Sequence, residues 1–179
     1  MIFATIGTQL PFDRLLTGLD TWAADHSSIR IVAQTGSTHR SFRHLHTVAT
    51  MQQGEFRDCV QAASLVVAHA GMGTILSAIE LGKPLIIMPR LAKFGEHRND
   101  HQQETCREMS RLLNVVVVRD GQELHTALDL ALARGFAMPP LAPTGSGEYA
   151  PLLEALREFV WGSHAEPTHA ARPVVRSAT

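Results

Sequence analysis

Leu65-Val66-Val67-Ala68-His69-Ala70-Gly71-Met72-Gly73-Thr74-Ile75-Leu76-Ser77-Ala78-Ile79-Glu80-Leu81-Gly82-Lys83-Pro84-Leu85-Ile86-Ile87-Met88-Pro89-Arg90 decides the fold. Leu65 to Ala68 is a continuous, β-branched apolar run, the pattern of a strand buried on both faces in a parallel sheet. His69 to Thr74 is a glycine turn. A helix follows to about Leu81, and Gly82-Lys83-Pro84 stops it. Leu85 to Met88 is a second buried strand, ended by Pro89. One strand–turn–helix–strand unit of this length is a right-handed crossover between parallel strands.

The same alternation extends both ways. Upstream, Ile2 to Ile6 reads as a buried strand ending at Gly7. Pro11 to Ala24 reads as a helix with Leu15, Leu16, Leu19 and Trp22 on one face, Pro11 suiting its first turn. Ile29 to Ala33 is a strand closed by Gln34-Thr35-Gly36, Leu45 to Ala49 a weaker one, and Glu55 to Ala63 a short helix. Downstream, a polar stretch from Arg90 to Asn99 leads into a helix from about Asp100 to Leu113. Val115 to Val118 is a further strand. Leu124, Ala127, Leu128, Ala131 and Leu132 then recur at helical spacing. The expectation is an α/β, Rossmann-like parallel sheet with helices on both faces. Residues 1–161 form one domain, in which Met138 to Ala150 is a long loop and Pro151 to Trp161 an amphipathic helix. Gly162 to Thr179 reads as a disordered tail.

Composition narrows the function. The 179 residues are 45% hydrophobic and 18% charged, as in a soluble globular protein, and the formal net charge is −1. With no basic block, binding of nucleic acid through phosphate neutralisation is excluded as a main activity. Cys59 and Cys106 stand far apart without metal spacing and fit a reducing compartment. The start, Met1 to Gly7, lacks the basic and long apolar regions of a signal peptide, and no run has the length of a membrane span.

Three loops fall at the carboxyl ends of strands, where open α/β sheets bind ligands. Gly7-Thr8-Gln9 is the first. His69 to Thr74 is the second: Gly71 and Gly73 let backbone approach an anion, and the helix that follows offers unpaired N–H groups and a positive dipole end, so a diphosphate suits it. The turn is neither GxGxxG nor a Walker A loop, and a tight turn without a ligand would look the same. The third loop, Glu96 to Glu104, is dense in amides, carboxylates and imidazoles, the groups that sugar hydroxyls require. Asp100 there could equally be a helix N-cap. His97 and His101 lie four apart, yet without HExxH or a nearby cysteine they are not read as metal ligands.

At these loops the chain resembles a known family. "VVAHAGMGTILSAIELGKPLIIMPR" (66–90) with "GEHRNDHQQET" (95–105) is similar to the C-terminal domain of family 28 glycosyltransferases, the group that includes MurG. "IFATIGTQLPFDRLL" (2–16) and "VAQTG" (32–36) resemble its small stand-alone members. These are the catalytic subunit of the eukaryotic two-subunit dolichol-diphosphate N-acetylglucosaminyltransferase and the bacterial PssE-like subunits of exopolysaccharide synthesis. The likeness covers about residues 1 to 133. It implies the donor-binding half of a GT-B enzyme, with UDP-sugar as donor. Gly71, Met72, Gly73 and Thr74 would hold the diphosphate, and Gly7 and Thr8 would close that site. Asn99, Asp100, His101, Gln102 and Gln103 would contact the donor sugar. The ribose-binding Glu of MurG-type enzymes falls at Ser77 here, with Glu80 one turn later as a weaker substitute.

The resemblance implies an inverting transfer; no cofactor is expected, and no metal is required if the protein itself supplies the donors that stabilise the diphosphate. A membrane-anchored partner subunit would bind the lipid-linked, polyprenyl-diphosphate glycan acceptor, and the chain would sit at the cytoplasmic face of the membrane through that partner. The Pro151–Trp161 helix is a candidate docking element, or else packs its apolar stripe on its own domain. His69 is a candidate base, although a base on the partner fits better. A non-catalytic UDP-sugar-binding regulatory subunit is the rival reading. A UDP-sugar 2-epimerase would need a second domain.

Overall fold

In the computed structural model, residues 1–136 are described. They build β1 (Ile2–Thr5), α1 (Asp13–Asp25), β2 (Ile31–Gln34), β3 (His46–Val48), α2 (Gln53–Ala62) and β4 (Leu65–His69). α3 (Met72–Glu80), β5 (Leu85–Met88), α4 (His101–Met109), β6 (Val115–Val117) and α5 (Gly121–Ala133) complete them. The expected loop at 138–150, helix at 151–161 and tail at 162–179 lie outside the described residues.

All six strands pair in parallel in the order β3-β2-β1-β4-β5-β6. The four central strands are buried along nearly their whole length, which their apolar runs reflect, because both of their faces are covered; the edge strand β6 is apolar too but only partly buried. On one face α1 and α5 pack with Ile2, Ala4, Ile31, Val67 and Ile86. On the other, Ile75 and Ile79 of α3 and Val60 of α2 pack on Phe3, Val66 and Ile87. β3 is an edge strand whose three side chains are all exposed, and its apolar signal was correspondingly weak. Among the described residues no helix is long and apolar enough to cross a membrane.

Several helix boundaries differ from expectation, α2 beginning at Gln53 and α3 at Met72 among them, and for two others the structure gives a local reason. α1 begins at Asp13 rather than Pro11. The carbonyls of Leu10 and Pro11 accept hydrogen bonds from the Arg90 guanidinium, at 2.6 and 2.8 Å, which holds that segment out of the helix. α4 ends at Met109 rather than Leu113. Arg111 and Leu112 close tight turns onto the carbonyls of Glu108 and Met109. These bring the chain round to Asn114, whose carbonyl accepts from Leu85 N. Asp100 precedes α4 but does not cap it; its carboxylate accepts from Ala92 N at 2.8 Å.

Strand order reverses between β1 and β4, and the loops leaving these two strands diverge there to opposite faces of the sheet. This is the place where such sheets form a ligand crevice. A second, mostly apolar groove of about 540 Å³ lies between β6 and α5 among the described residues, lined by Ile86, Val116, Ala127 and Leu130 with Asp120, Glu123 and Arg134 also bordering it.

Candidate functional site

Three glycine turns meet at the switch point. Gly7 ends β1 with φ of +71°, a conformation that glycine adopts without strain, and its N–H donates to Thr5 Oγ1. Gly36, after β2, also has positive φ, and a Cβ there would come within 2.7 Å of the Gly7 carbonyl. Gly71 follows β4, and its N–H donates to the His69 carbonyl at 2.8 Å, a turn of minimum length. The chain then enters α3 directly, so the first-turn N–H groups of Met72, Gly73 and Thr74 have no carbonyl behind them in the helix.

The Gly7 and Gly71 turns border a cleft of about 660 Å³, and the Gly36 turn stands behind Gly7 outside its lining. Of the residues expected from the sequence, Gly7, Thr8, His69, Gly71, Gly73, Thr74, His101 and Gln102 line it. Gln9, Leu10, Arg90 and His97 join them. The others lie elsewhere. Met72 belongs to the turn but not to the lining. Asp100 and Gln103 border a neighbouring depression with Lys93 and Phe94. Asn99 is exposed and meets the cleft through its hydrogen bond to the His101 ring and through its N–H, which donates to His97 Nδ1. Glu80 stands exposed at the last residue of α3, roughly 10 Å along the axis from Gly73 at 1.5 Å per residue. Ser77 is buried, and its hydroxyl donates to the Gly73 carbonyl.

His69 fills the space between the two glycine turns. A Cβ on Gly71 would fall 2.2 Å from its Nε2, and one on Gly7 would fall 2.9 Å from its Cε1. Its Nδ1 is buried with no hydrogen-bond partner. Burial is the main influence on its basicity, and the nearby Arg90 guanidinium adds to it; the Thr5 backbone opposes them in part. Together they push the imidazole down to about 4. At neutral pH His69 is therefore an uncharged wedge and a weak proton acceptor.

Arg90 also lines the cleft, and no sequence motif marks it out. It is 3% exposed, follows β5 immediately after Pro89, and donates to the carbonyls of Ile6, Leu10, Pro11 and Glu96. Burial lowers its pKa from the usual arginine value, with Glu96 opposing. A guanidinium still keeps its charge in such surroundings. It thus places a fixed positive charge in the cleft beside the positive end of α3. The available signal was its position, a cation at the carboxyl end of a buried strand. The buried Gln102 accepts from Arg90 N through Oε1 at 3.1 Å, which leaves its amide N–H groups as donors. His97 and His101 stack edge to face on the rim. The lining thus combines backbone donors, a cation, amides and imidazoles, and among the described residues it holds no carboxylate. That combination suits a diphosphate carrying a hydroxyl-rich group.

Residues 1–137 match the glycosyltransferase family 28 C-terminal domain. The chain is 23% identical over 176 residues to the UDP-N-acetylglucosamine transferase subunit ALG13 of Yarrowia lipolytica, covering 89% of this chain and 86% of that one. Its fold superposes on the NMR solution structure of ALG13 with a TM-score of 0.57 at 17% identity, covering 89% of this chain and 96% of that one. It superposes on MurG from Acinetobacter baumannii with a TM-score of 0.54 at 15% identity, over 75% of this chain and 42% of MurG.

Proposed function

Because this chain belongs to the glycosyltransferase family 28 C-terminal domain family, we propose that it is the UDP-sugar-binding catalytic subunit of a two-subunit inverting glycosyltransferase. Its acceptor in this reading is a polyprenyl-diphosphate-linked glycan of exopolysaccharide or glycolipid synthesis, held by a membrane-anchored partner. The observation that carries the reading is the switch-point cleft itself. It brings the open N-terminus of α3, the Gly7 turn and the Arg90 charge to bear on one volume. Leaving-group charge that develops on UDP as the glycosidic bond breaks is stabilised by the open first-turn N–H groups of α3 and by the fixed charge of Arg90, without reorganisation. His101 and Gln102 on the facing side read the sugar.

The proton acceptor for the incoming hydroxyl is assigned to the partner. Support comes from the absence of a carboxylate among the described lining residues and from the low basicity of His69. The same facts favour the second reading, a donor-binding regulatory subunit without chemistry of its own. Calorimetry with UDP, followed by transfer assays on a lipid-linked acceptor with and without the partner, tests both. UDP should bind to the isolated chain, and turnover should need both subunits. Turnover by the partner alone would leave the regulatory reading. Failure to bind UDP would overturn both.

A further inference from the structure

The stretch between β5 and α4 holds its shape through one buried carboxylate. Glu96 accepts two parallel hydrogen bonds from Arg14, Nε to Oε1 and Nη2 to Oε2, both at 2.9 Å. Its Oε2 also accepts from Leu91 N at 2.9 Å. Its own N–H donates to the Leu91 carbonyl, so residues 91–96 close on themselves, with Gly95 turning through positive φ. Its carbonyl accepts from Arg90 Nη1 at 3.0 Å. Arg14 projects from α1 and donates further to the carbonyls of Pro89 and Arg119, at 2.8 and 2.6 Å. Helix α1, the ends of β5 and β6, and this loop are therefore joined at one side chain. The loop continues at once into His97, His101 and Gln102, which line the cleft.

We propose that the Arg14–Glu96 pair is the positioning device of the donor-sugar loop, fixing His101 and Gln102 over the cleft and so setting discrimination among UDP-sugars without touching the sugar. The inference rests on the reading of that loop as the sugar-contacting side of the site. Its physical basis is directional. A bidentate guanidinium–carboxylate contact fixes orientation as well as distance, which a single bond or a point charge does not. Glutamine at position 96 would turn an amide N–H₂ toward the Arg14 donors and lose the fork. Lysine at position 14 would keep the charge and lose the fork. The diphosphate side of the cleft is built mainly on β1, β4 and α3; Arg90 shares it and is tied to the loop through the Glu96 backbone carbonyl, which neither substitution removes, so UDP binding and sugar discrimination are expected to separate.

The experiment measures affinities of the full chain for UDP, UDP-glucose and UDP-N-acetylglucosamine by calorimetry. The variants are Glu96→Gln, Arg14→Lys, their double mutant and Gln102→Ala. Arg14→Lys guards against outright unfolding of Glu96→Gln. The parent should prefer one sugar nucleotide. Both single variants should bind UDP within about twofold of the parent, while the ratio of the two sugar-nucleotide affinities moves by about tenfold. The double mutant should be no worse than Glu96→Gln alone, as for two residues acting as one unit. Amides of residues 91–102 should exchange faster in both. Variants that keep the parental ratio while Gln102→Ala shifts it would overturn this inference and spare the sugar-loop reading. So would an equal loss of UDP and UDP-sugar binding. A parent without preference, or a Gln102→Ala variant with unchanged preference, would remove the sugar-loop reading and the inference with it.

Discussion

Gly71 and Gly73 stand two residues apart in one turn and are glycines for different reasons. At Gly71 a single methyl group would collide with the His69 imidazole, within the protein itself. At Gly73 a Cβ would meet nothing within 4 Å. Only a ligand can make a side chain costly there. Gly71→Ala should therefore lower stability by about 1–3 kcal/mol, as overpacking does, and would be seen in a thermal melt without nucleotide. Gly73→Ala should melt like the parent and weaken UDP binding by about tenfold or more. Equal UDP affinity for parent and Gly73→Ala would move the phosphate away from α3. The sequence showed both glycines in the right place but not this difference, because the collision is with a side chain whose position depends on the fold. Gln102 illustrates the same limit. Its place at the cleft was legible, whereas the engagement of its carbonyl oxygen by Arg90 N was not, since that bond depends on how the 91–101 loop doubles back.

Among the elements, the strands were the easiest to read. Leu85–Met88 was found to the residue, and the other central strands within two, because burial on both faces imposes an unbroken apolar run. Helix ends were read less well, since they are set by distant partners such as Arg90 acting on the carbonyls before α1. The pairing of α1 with α5 was also out of reach. Each helix showed its apolar stripe, but the close approach at Gly18 and Gly121 appears only in three dimensions. A Cβ on Gly18 would lie 3.1 Å from Leu124 Cδ2, and His125 Nε2 bonds the Gly18 carbonyl at 2.8 Å. Trp22 Nε1 donates to Asp129 one turn further along each helix. Gly18→Val should force the pair apart and cost about 1–3 kcal/mol, measurable as a lowered urea midpoint with little change in slope. A variant as stable as the parent would show that the two helices are not in close contact in solution.

At the scale of the whole molecule, the buried neutral His69 makes stability depend on pH. Its pKa lies at about 4 in the folded chain against 6.5 ordinarily, so between those values the unfolded chain binds a proton that the folded chain does not. Its contribution is complete above about pH 6.5 and is lost as the pH falls toward 4. Urea titrations of the parent and His69→Gln should run parallel from pH 7 to 9, and the parent should then lose stability faster below 6.5; parallel behaviour down to pH 4 would mean that the imidazole is not held neutral. The parallel α/β class could be read from alternation alone, and the switch point follows from strand order, which local pattern does not encode. That order has a consequence for synthesis. β1 is made first, yet it lies at the middle of the sheet between β2 and β4, and β4 ends only at His69. At about 5–20 residues per second, a ribosome needs roughly 3–13 s to deliver the second neighbour after the first strand has been made. Through that interval the edge of Ile2, Phe3 and Ala4 that pairs with Leu65, Val66 and Val67 has no partner, and the middle of the sheet cannot close before β4 has been made.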